Sequence, residues 1–258
     1  MEDARHRARL DARADSGLGG LSQRPRSWRT PDRGWWRDAL GSRDPRHSVH
    51  SLTDKGWEAL PAHGVATVVD LRSHGERADD PPRDLELDVV HVPLLAEEGD
   101  PVYRKIDAVA KTAVDGADAT RLFYLEVLRR WNERFAAAIE AVAAARPGAV
   151  VVHCAVGKDR TGLISALLLR VAGVSISDIA DDYALSSPNL ESRWRPWVDE
   201  ASDVPEREQR LRMVASPAGA MLGVLDALEA EHGSIAEYLR SAGLDETTVA
   251  SARARLRG

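Results

Sequence analysis

The segment from Ala149 to Leu169 constrains the fold more than any other part of the chain. Ala149-Val150-Val151-Val152-His153 is a β-branched run that reads as a buried strand, and Leu163-Ile164-Ser165-Ala166-Leu167-Leu168-Leu169 reads as a helix apolar nearly all round. Between them lies Cys154-Ala155-Val156-Gly157-Lys158-Asp159-Arg160-Thr161-Gly162. A strand that feeds a helix through a short loop belongs to a parallel sheet, and such sheets bind ligands beyond the carboxyl ends of their strands.

The loop's residue types then say what kind of ligand. Inward-pointing amides and a helix N-terminus cradle an anion without any side-chain charge. The predicted phosphate cradle is Ala155, Val156, Gly157, Lys158, Asp159 and Arg160, with small Ala155 and flexible Gly157 letting the backbone close around a tetrahedral group. Arg160 offers a planar fork to two oxygens, which a lysine cannot imitate. The same amides stabilise a thiolate at Cys154, placed at the base of the cradle for in-line attack on phosphorus. Thr161 is expected to donate a hydrogen bond to the sulfur and help it leave, and His153 to fix the loop by hydrogen bonds. Cys154 is the only cysteine of the 258 residues, so an internal disulfide and a thiolate-rich zinc site are both excluded. The chemistry calls for no metal and no cofactor.

The rest of the chain supplies a frame for this loop. Thr53 or Ser51 is expected to cap a short helix carrying Trp57 and Leu60, broken by Pro61 and Gly64. Val65 to Leu71 reads as a second buried strand, and Asp88 to Val92 as a shorter one ended by Pro93. Residues 94–118 are polar and without clear period. Leu122, Leu125, Leu128, Phe135, Ile139 and Val142 predict one amphipathic helix over 120–145. Gly173 ends the apolar helix, and Ser175 with Asp178 resembles a capping box opening the next. Helices are predicted again over 220–231, 235–241 and 245–256. Strands alternating with helices give an α/β fold, a central and mostly parallel sheet flanked by helices on both faces.

Residues 1–16 mix acids and arginines with no apolar core and read as a flexible N-terminal arm; 17–258 read as a single domain. Trp28, Trp35 and Trp36 are expected to pin the segment 17–50 onto it. Residues 187–216, with Pro188, Pro196 and Pro205 and with Trp194 and Trp197 among charges, read as a lid or excursion. A net charge of −6 argues against a nucleic-acid partner while allowing a small positive pocket. No apolar run approaches the roughly 18 residues of a membrane helix, so no stable membrane insertion is expected. Without a secretory signal, a cytoplasmic location is the default expectation. The residues set no oligomeric state.

His153-Cys154-x-x-Gly157-Lys158-Asp159-Arg160-Thr161-Gly162 resembles the signature loop of the protein-tyrosine-phosphatase superfamily. Lys158-Asp159 narrows the resemblance to a bacterial branch of tyrosine and lipid phosphatases. Leu52-Thr53-Asp54-Lys55-Gly56, Val68-Val69-Asp70-Leu71-Arg72-Ser73 with Glu76, and Gly233-Ser234-Ile235-Ala236-Glu237-Tyr238-Leu239 are similar to that branch, over residues 50–258. The N-terminus departs from the branch's opening, of which Leu18-Gly19-Gly20 is the similar remnant. The resemblance implies a cysteine-dependent hydrolase of phosphate monoesters working through a phosphocysteine intermediate. It implies a phosphotyrosine protein as substrate, with dual specificity or a phosphoinositide as alternatives.

Protonation of the leaving group needs a carboxylic acid within hydrogen-bond reach. The Trp-Pro-Asp loop of the better-known tyrosine phosphatases is absent. The branch resemblance implies Asp159 in that role, with Glu97, Glu98 and Asp100 as rivals. Asp70, Arg72 and Glu76 are read as reaching the site, or Arg72 and Glu76 as a structural ion pair, and Lys158 as a phosphate-facing charge or a solvated loop residue. Trp194, Arg195 and Trp197 are read as closing over substrate or as ordinary packing. Two other classes compete: a rhodanese-like sulfurtransferase, which Arg160-Thr161 disfavours, and a phosphate-binding pseudophosphatase, which intact Cys154, Asp159 and Arg160 disfavour.

Overall fold

The computed structural model describes residues 52–81, 84 and 86–257. The expectations for the arm 1–16, for Trp28, Trp35 and Trp36, and for Leu18-Gly19-Gly20 lie outside the described residues.

Helix α1 (Asp54–Ala62) starts where Thr53 Oγ1 accepts the Gly56 N–H at 3.2 Å, and it buries Trp57 and Leu60. Pro61 does not break it, because a proline in the last turn forfeits only one helical hydrogen bond. Strand β1 (Val65–Asp70) follows and is buried at every position. A four-residue helix, α2 (His74–Arg77), precedes strand β2 (Asp88–His91).

The polar stretch that carried no clear period contains α3 (Val102–Ala110). The single helix expected over 120–145 is two, α4 (Gly116–Arg130) and α5 (Asn132–Ala144). Trp131 leaves helical geometry at φ −121°, ψ 29°, and its ring lies against Tyr103 with centroids 6.1 Å apart. The apolar spacing from Leu128 to Phe135 carries on across the break, which is why periodicity does not reveal it. Strand β3 (Ala149–His153) then leads through the loop into α6 (Asp159–Val171).

Serine 175 caps α7 (Ile176–Ala184), with Oγ accepting from the Asp178 N–H at 3.2 Å. Residues 187–216, read as a lid or excursion, are mostly helical: α8 (Ser186–Asn189), α9 (Glu191–Asp199) and α10 (Val204–Val214). Pro205 sits in the first turn of α10, where its missing N–H costs nothing, behind the N-cap Asp203. The chain ends with α11 (Ala218–His232), α12 (Ile235–Ser241) and α13 (Glu246–Arg257).

The sheet is small and parallel, in the order β2-β1-β3. Strand β1 is central and fully buried, whereas β3 is half-buried until His153, so the buried centre is β1 and not the strand before the loop. An irregularity in the β1–β3 register between Val65 and Thr67 lets Val65 and Val68 share one side. They pack with Leu52, Trp57 and Leu60 from the α1 region. Val69 and Leu71 join the larger core built from α4, α5, α6, α7, α11, α12 and α13. Helix α11 packs against α4 and α7, and α13 against α5 and α6. Helix α10 buries no residue and α9 buries Val198, so this pair lies on the outside of that core. Among the described residues no single helix is long and apolar enough to cross a membrane.

Candidate active site

The loop 154–158 joins the end of β3 to the start of α6, so the amides of the first helical turn face the same space as the loop. Lys158, the residue before α6, offers no side-chain bond to that turn. Its first N–H groups are thus left for an anion. Gly157 holds φ +84°, a left-handed conformation that turns the chain back over Cys154. Its N–H donates to Cys154 Sγ at 3.2 Å, and Cys154 is only 2% exposed. Gly162 has a different reason to be glycine. A Cβ there would come within 3.0 Å of the Tyr183 ring, which would have to give way by a few tenths of an ångström.

Beneath the loop, His153 Nδ1 lies 3.2 Å from the Cys154 carbonyl oxygen and Nε2 lies 3.8 Å from Asp70 Oδ1. Burial pushes the His153 pKa down, with Asp70 acting against it, and the net shift favours the neutral ring. A neutral, buried imidazole on a backbone carbonyl fixes geometry and carries no charge to the pocket.

Arg160, in the first turn of α6, points both guanidinium arms at Glu76: Nη1 to Oε2 at 2.5 Å and Nη2 to Oε1 at 2.7 Å. Of the two readings of Glu76, an ion pair with Arg72 or a reach to the loop, the side chain takes the second. Arg72 instead matches its charge to buried Asp70 at 2.8 Å and to Asp80, and gives Nη1 to the Glu76 carbonyl at 3.1 Å. Glu76 is held by a capping box: its N–H donates to Ser73 Oγ at 3.2 Å and its Oε2 accepts the Ser73 N–H at 2.8 Å. Buried charges thus hold α2, and α2 presents a carboxylate that aims the arginine fork. Burial raises the Glu76 pKa, but the Arg160 guanidinium and the Ser73 N–H outweigh it and hold the carboxyl below its usual range.

A group whose pKa is depressed on folding stabilises the fold above its unfolded pKa, and loses that contribution as pH falls through the folded one. Glu76→Gln is accordingly expected to cost about 1–3 kcal/mol at pH 7, as lost charge-assisted hydrogen bonds do. The cost should shrink at pH 3, in urea melts of both proteins at both values. An equal cost at the two pH values would remove the ion pair as its cause.

Asp159 takes a hydrogen bond on Oδ1 from the Tyr124 hydroxyl at 2.6 Å, and the Tyr124 and Tyr183 hydroxyls are 2.7 Å apart. These tyrosines, from α4 and α7, were missed by sequence reasoning. Tyr124 sits on an amphipathic helix face and reads as core; only its hydroxyl partner gives it away. Burial, with Asp159 nearby, pushes the Tyr124 pKa up, so it serves as a neutral donor. Asp159 Oδ2 has no partner among the described residues, and the side chain is 45% exposed. The rival acids are placed differently. Glu97 spends both oxygens on α2, accepting from the His74 N–H at 2.9 Å and the Gly75 N–H at 3.0 Å. Asp100 Oδ1 accepts the Val102 N–H at 2.8 Å.

Lys158 is not a solvated loop residue. It is 5% exposed, its ammonium donates to the carbonyls of Met213 at 2.6 Å and Ala215 at 3.1 Å, near the end of α10, and it lies 3.4 Å from Asp159 Oδ1. Unpaired carbonyls at a helix end attract a cation, which explains the placement. Thr161 Oγ1 is buried without a hydrogen-bond partner among the described residues, and the sulfur takes the Gly157 N–H instead. Thr161 lines a cavity of about 140 Å³ shared with Gly162, Ser165, Asp182 and Tyr183.

The α8–α10 segment is tied to the loop at several points. Arg193 Nη2 donates to the Ala155 carbonyl at 3.2 Å, beside the Lys158 contacts. At its base, Ser187 Oγ and Ser216 Oγ are 2.7 Å apart, and Ser216 Oγ donates to the Ala184 carbonyl at 3.1 Å. Trp197 packs under Arg210, whose guanidinium carbon lies 4.9 Å from the ring centre, and Arg195 is exposed and paired with Glu191. Arg195 and Trp197 therefore serve the segment itself.

A buried cysteine that accepts a loop N–H, an arginine held by a carboxylate and the start of a helix thus meet at the end of β3. A model of the tyrosine phosphatase family matches residues 45–258, and the chain belongs to that family. It is a phosphatase. A tyrosine-protein phosphatase of Nostoc commune is 33% identical over 217 residues, which cover 80% of this chain and 70% of the relative. The triple specificity protein phosphatase PtpB of Mycobacterium tuberculosis is 27% identical over 243 residues, covering 80% of this chain and 87% of its own.

Proposed function

We propose that the protein hydrolyses phosphotyrosine by a two-step, cysteine-dependent reaction. The observation that carries this is the Cys154 sulfur under the Gly157 N–H, in the loop that also carries Arg160. The Cys154 thiolate attacks phosphorus, the ester P–O bond breaks, and the leaving oxygen takes a proton from Asp159. A phosphocysteine remains. Water then attacks phosphorus, Asp159 takes its proton, and the S–P bond breaks to return the thiolate with inorganic phosphate. Arg160 and the loop amides hold the equatorial oxygens through both steps.

Asp159 is the better acid on this geometry, because Tyr124 fixes one of its oxygens and leaves the other open. Both Glu97 oxygens already accept N–H groups of α2. Asp159→Asn is expected to slow esters with poor leaving groups by about 10²- to 10⁴-fold, and activated aryl phosphates far less. The test is kcat across a series of leaving groups. That pattern from Glu98→Gln instead would place the acid outside the loop.

The triple specificity of the mycobacterial relative supports a breadth beyond phosphotyrosine, toward dual specificity or phosphoinositides. The charge that favoured a phosphoinositide was Lys158, and its ammonium is occupied by Met213 and Ala215. A phosphotyrosine protein is therefore the first substrate to try, with single-turnover rates on phosphopeptides and phosphoinositides to rank them. Two clusters of buried side chains, one containing Val68 and the other Val69, support helices on both faces of the sheet. A p-nitrophenyl phosphate assay separates the enzyme from a pseudophosphatase: folded protein without turnover would defeat the reading.

A further inference from the structure

Arg193 stands out among the described arginines near the loop. Arg72 and Arg160 are both matched to carboxylates, while Arg193 has no acidic partner among the described residues. Its Nη2 donates to the Ala155 carbonyl, one residue beyond the nucleophile. Its Nη1 is buried and has no hydrogen-bond partner among the described residues. Burial pushes the Arg193 pKa down, and the negative charge of Cys154 pulls it partly back. The guanidinium is half-buried and lies 5.6 Å from the Trp194 ring centre, but its buried Nη1 is left without a hydrogen bond, a cost that an anion beside it would offset.

We propose that Arg193 of α9 is a second arginine ligand of the anion in the active site, its free Nη1 bonding a non-bridging oxygen of the phosphate group. This rests on the phosphatase reading above and adds a residue from outside the loop to it. The guanidinium is rigid and planar, so an arm bonded to Ala155 fixes where the free arm points. The cation expected at Lys158 is then supplied from the neighbouring helix. Such a ligand strengthens phosphate binding, and it makes the site select anions over neutral molecules of like size.

The probe is inorganic phosphate, titrated calorimetrically into the full chain. Its companion is the ratio of Cys154 alkylation rates by anionic iodoacetate and neutral iodoacetamide. Arg193→Gln is expected to weaken phosphate binding about tenfold or more, the loss of a charge-assisted hydrogen bond. It should lower the iodoacetate to iodoacetamide ratio, whereas loosening of the loop alone would change both rates together. Wild-type affinity and an unchanged ratio in Arg193→Gln would overturn the proposal and leave the phosphatase reading standing. A wild-type protein that binds no phosphate would remove both. Should Arg193→Gln melt early, Arg193→Lys decides. It keeps the charge without the fork, so binding weakened about threefold or more supports the role and unchanged binding refutes it.

Discussion

Cys154→Ser is expected to lower turnover of p-nitrophenyl phosphate by about 10⁴-fold or more while leaving inorganic phosphate bound about as tightly as before. The size of the loss follows from what the site offers. Loop amides and the start of α6 are arranged for an anion, and a sulfur there accepts the Gly157 N–H. A serine hydroxyl holds its proton at neutral pH and is a far weaker nucleophile than a thiolate. Buried His153 is bound to a carbonyl and to Asp70. The cradle itself is backbone and survives the change. Because the oxygen is smaller than the sulfur, the 2% exposed site is not overpacked. Turnover within tenfold of the wild type would mean that another residue is the nucleophile.

Arg160→Lys is expected to cost about 10²- to 10³-fold in kcat, with a smaller effect on KM. Charge on the transferring group is spread over three equatorial oxygens, and in the proposed reaction the arginine would meet two of them at once. Lysine keeps the charge but offers a single point, and Glu76, built to receive two parallel N–H groups, would capture it off-line. Near-normal kcat in a folded Arg160→Lys protein would contradict the clamp. Glu76→Gln, measured alongside, separates aiming from binding, since it leaves the guanidinium in place and removes only what orients it.

Much of the fold was legible because it is written locally. A run of valines makes β1, Thr53 and Ser175 cap the helices behind them, and apolar spacing marks α6, α11, α12 and α13. The misreadings have physical causes of their own. The α4–α5 break keeps the apolar stripe in register, so no period betrays Trp131. The prolines of 187–216 gave no helix boundaries, because Pro205 occupies a first turn where proline is welcome and Pro196 lies within α9. In the site, an ion pair with Arg72 stayed open for Glu76 because the two are only four residues apart. Its partner, Arg160, lies 84 residues away.

The sequence alone determined the strand, the loop, the helix and the places of Cys154, Gly157 and Arg160, since a handful of consecutive residues and their backbone preferences settle that geometry. Only the tertiary structure decided what surrounds them. It sets Glu76 against Arg160, Tyr124 and Tyr183 beside Asp159, Lys158 at the end of α10 and Arg193 over Ala155. The reason is that a sequence pattern states which face of an element is buried and not which distant element covers it. Packing of whole helices makes that choice, and the polar side chains at the seams acquire their partners from it.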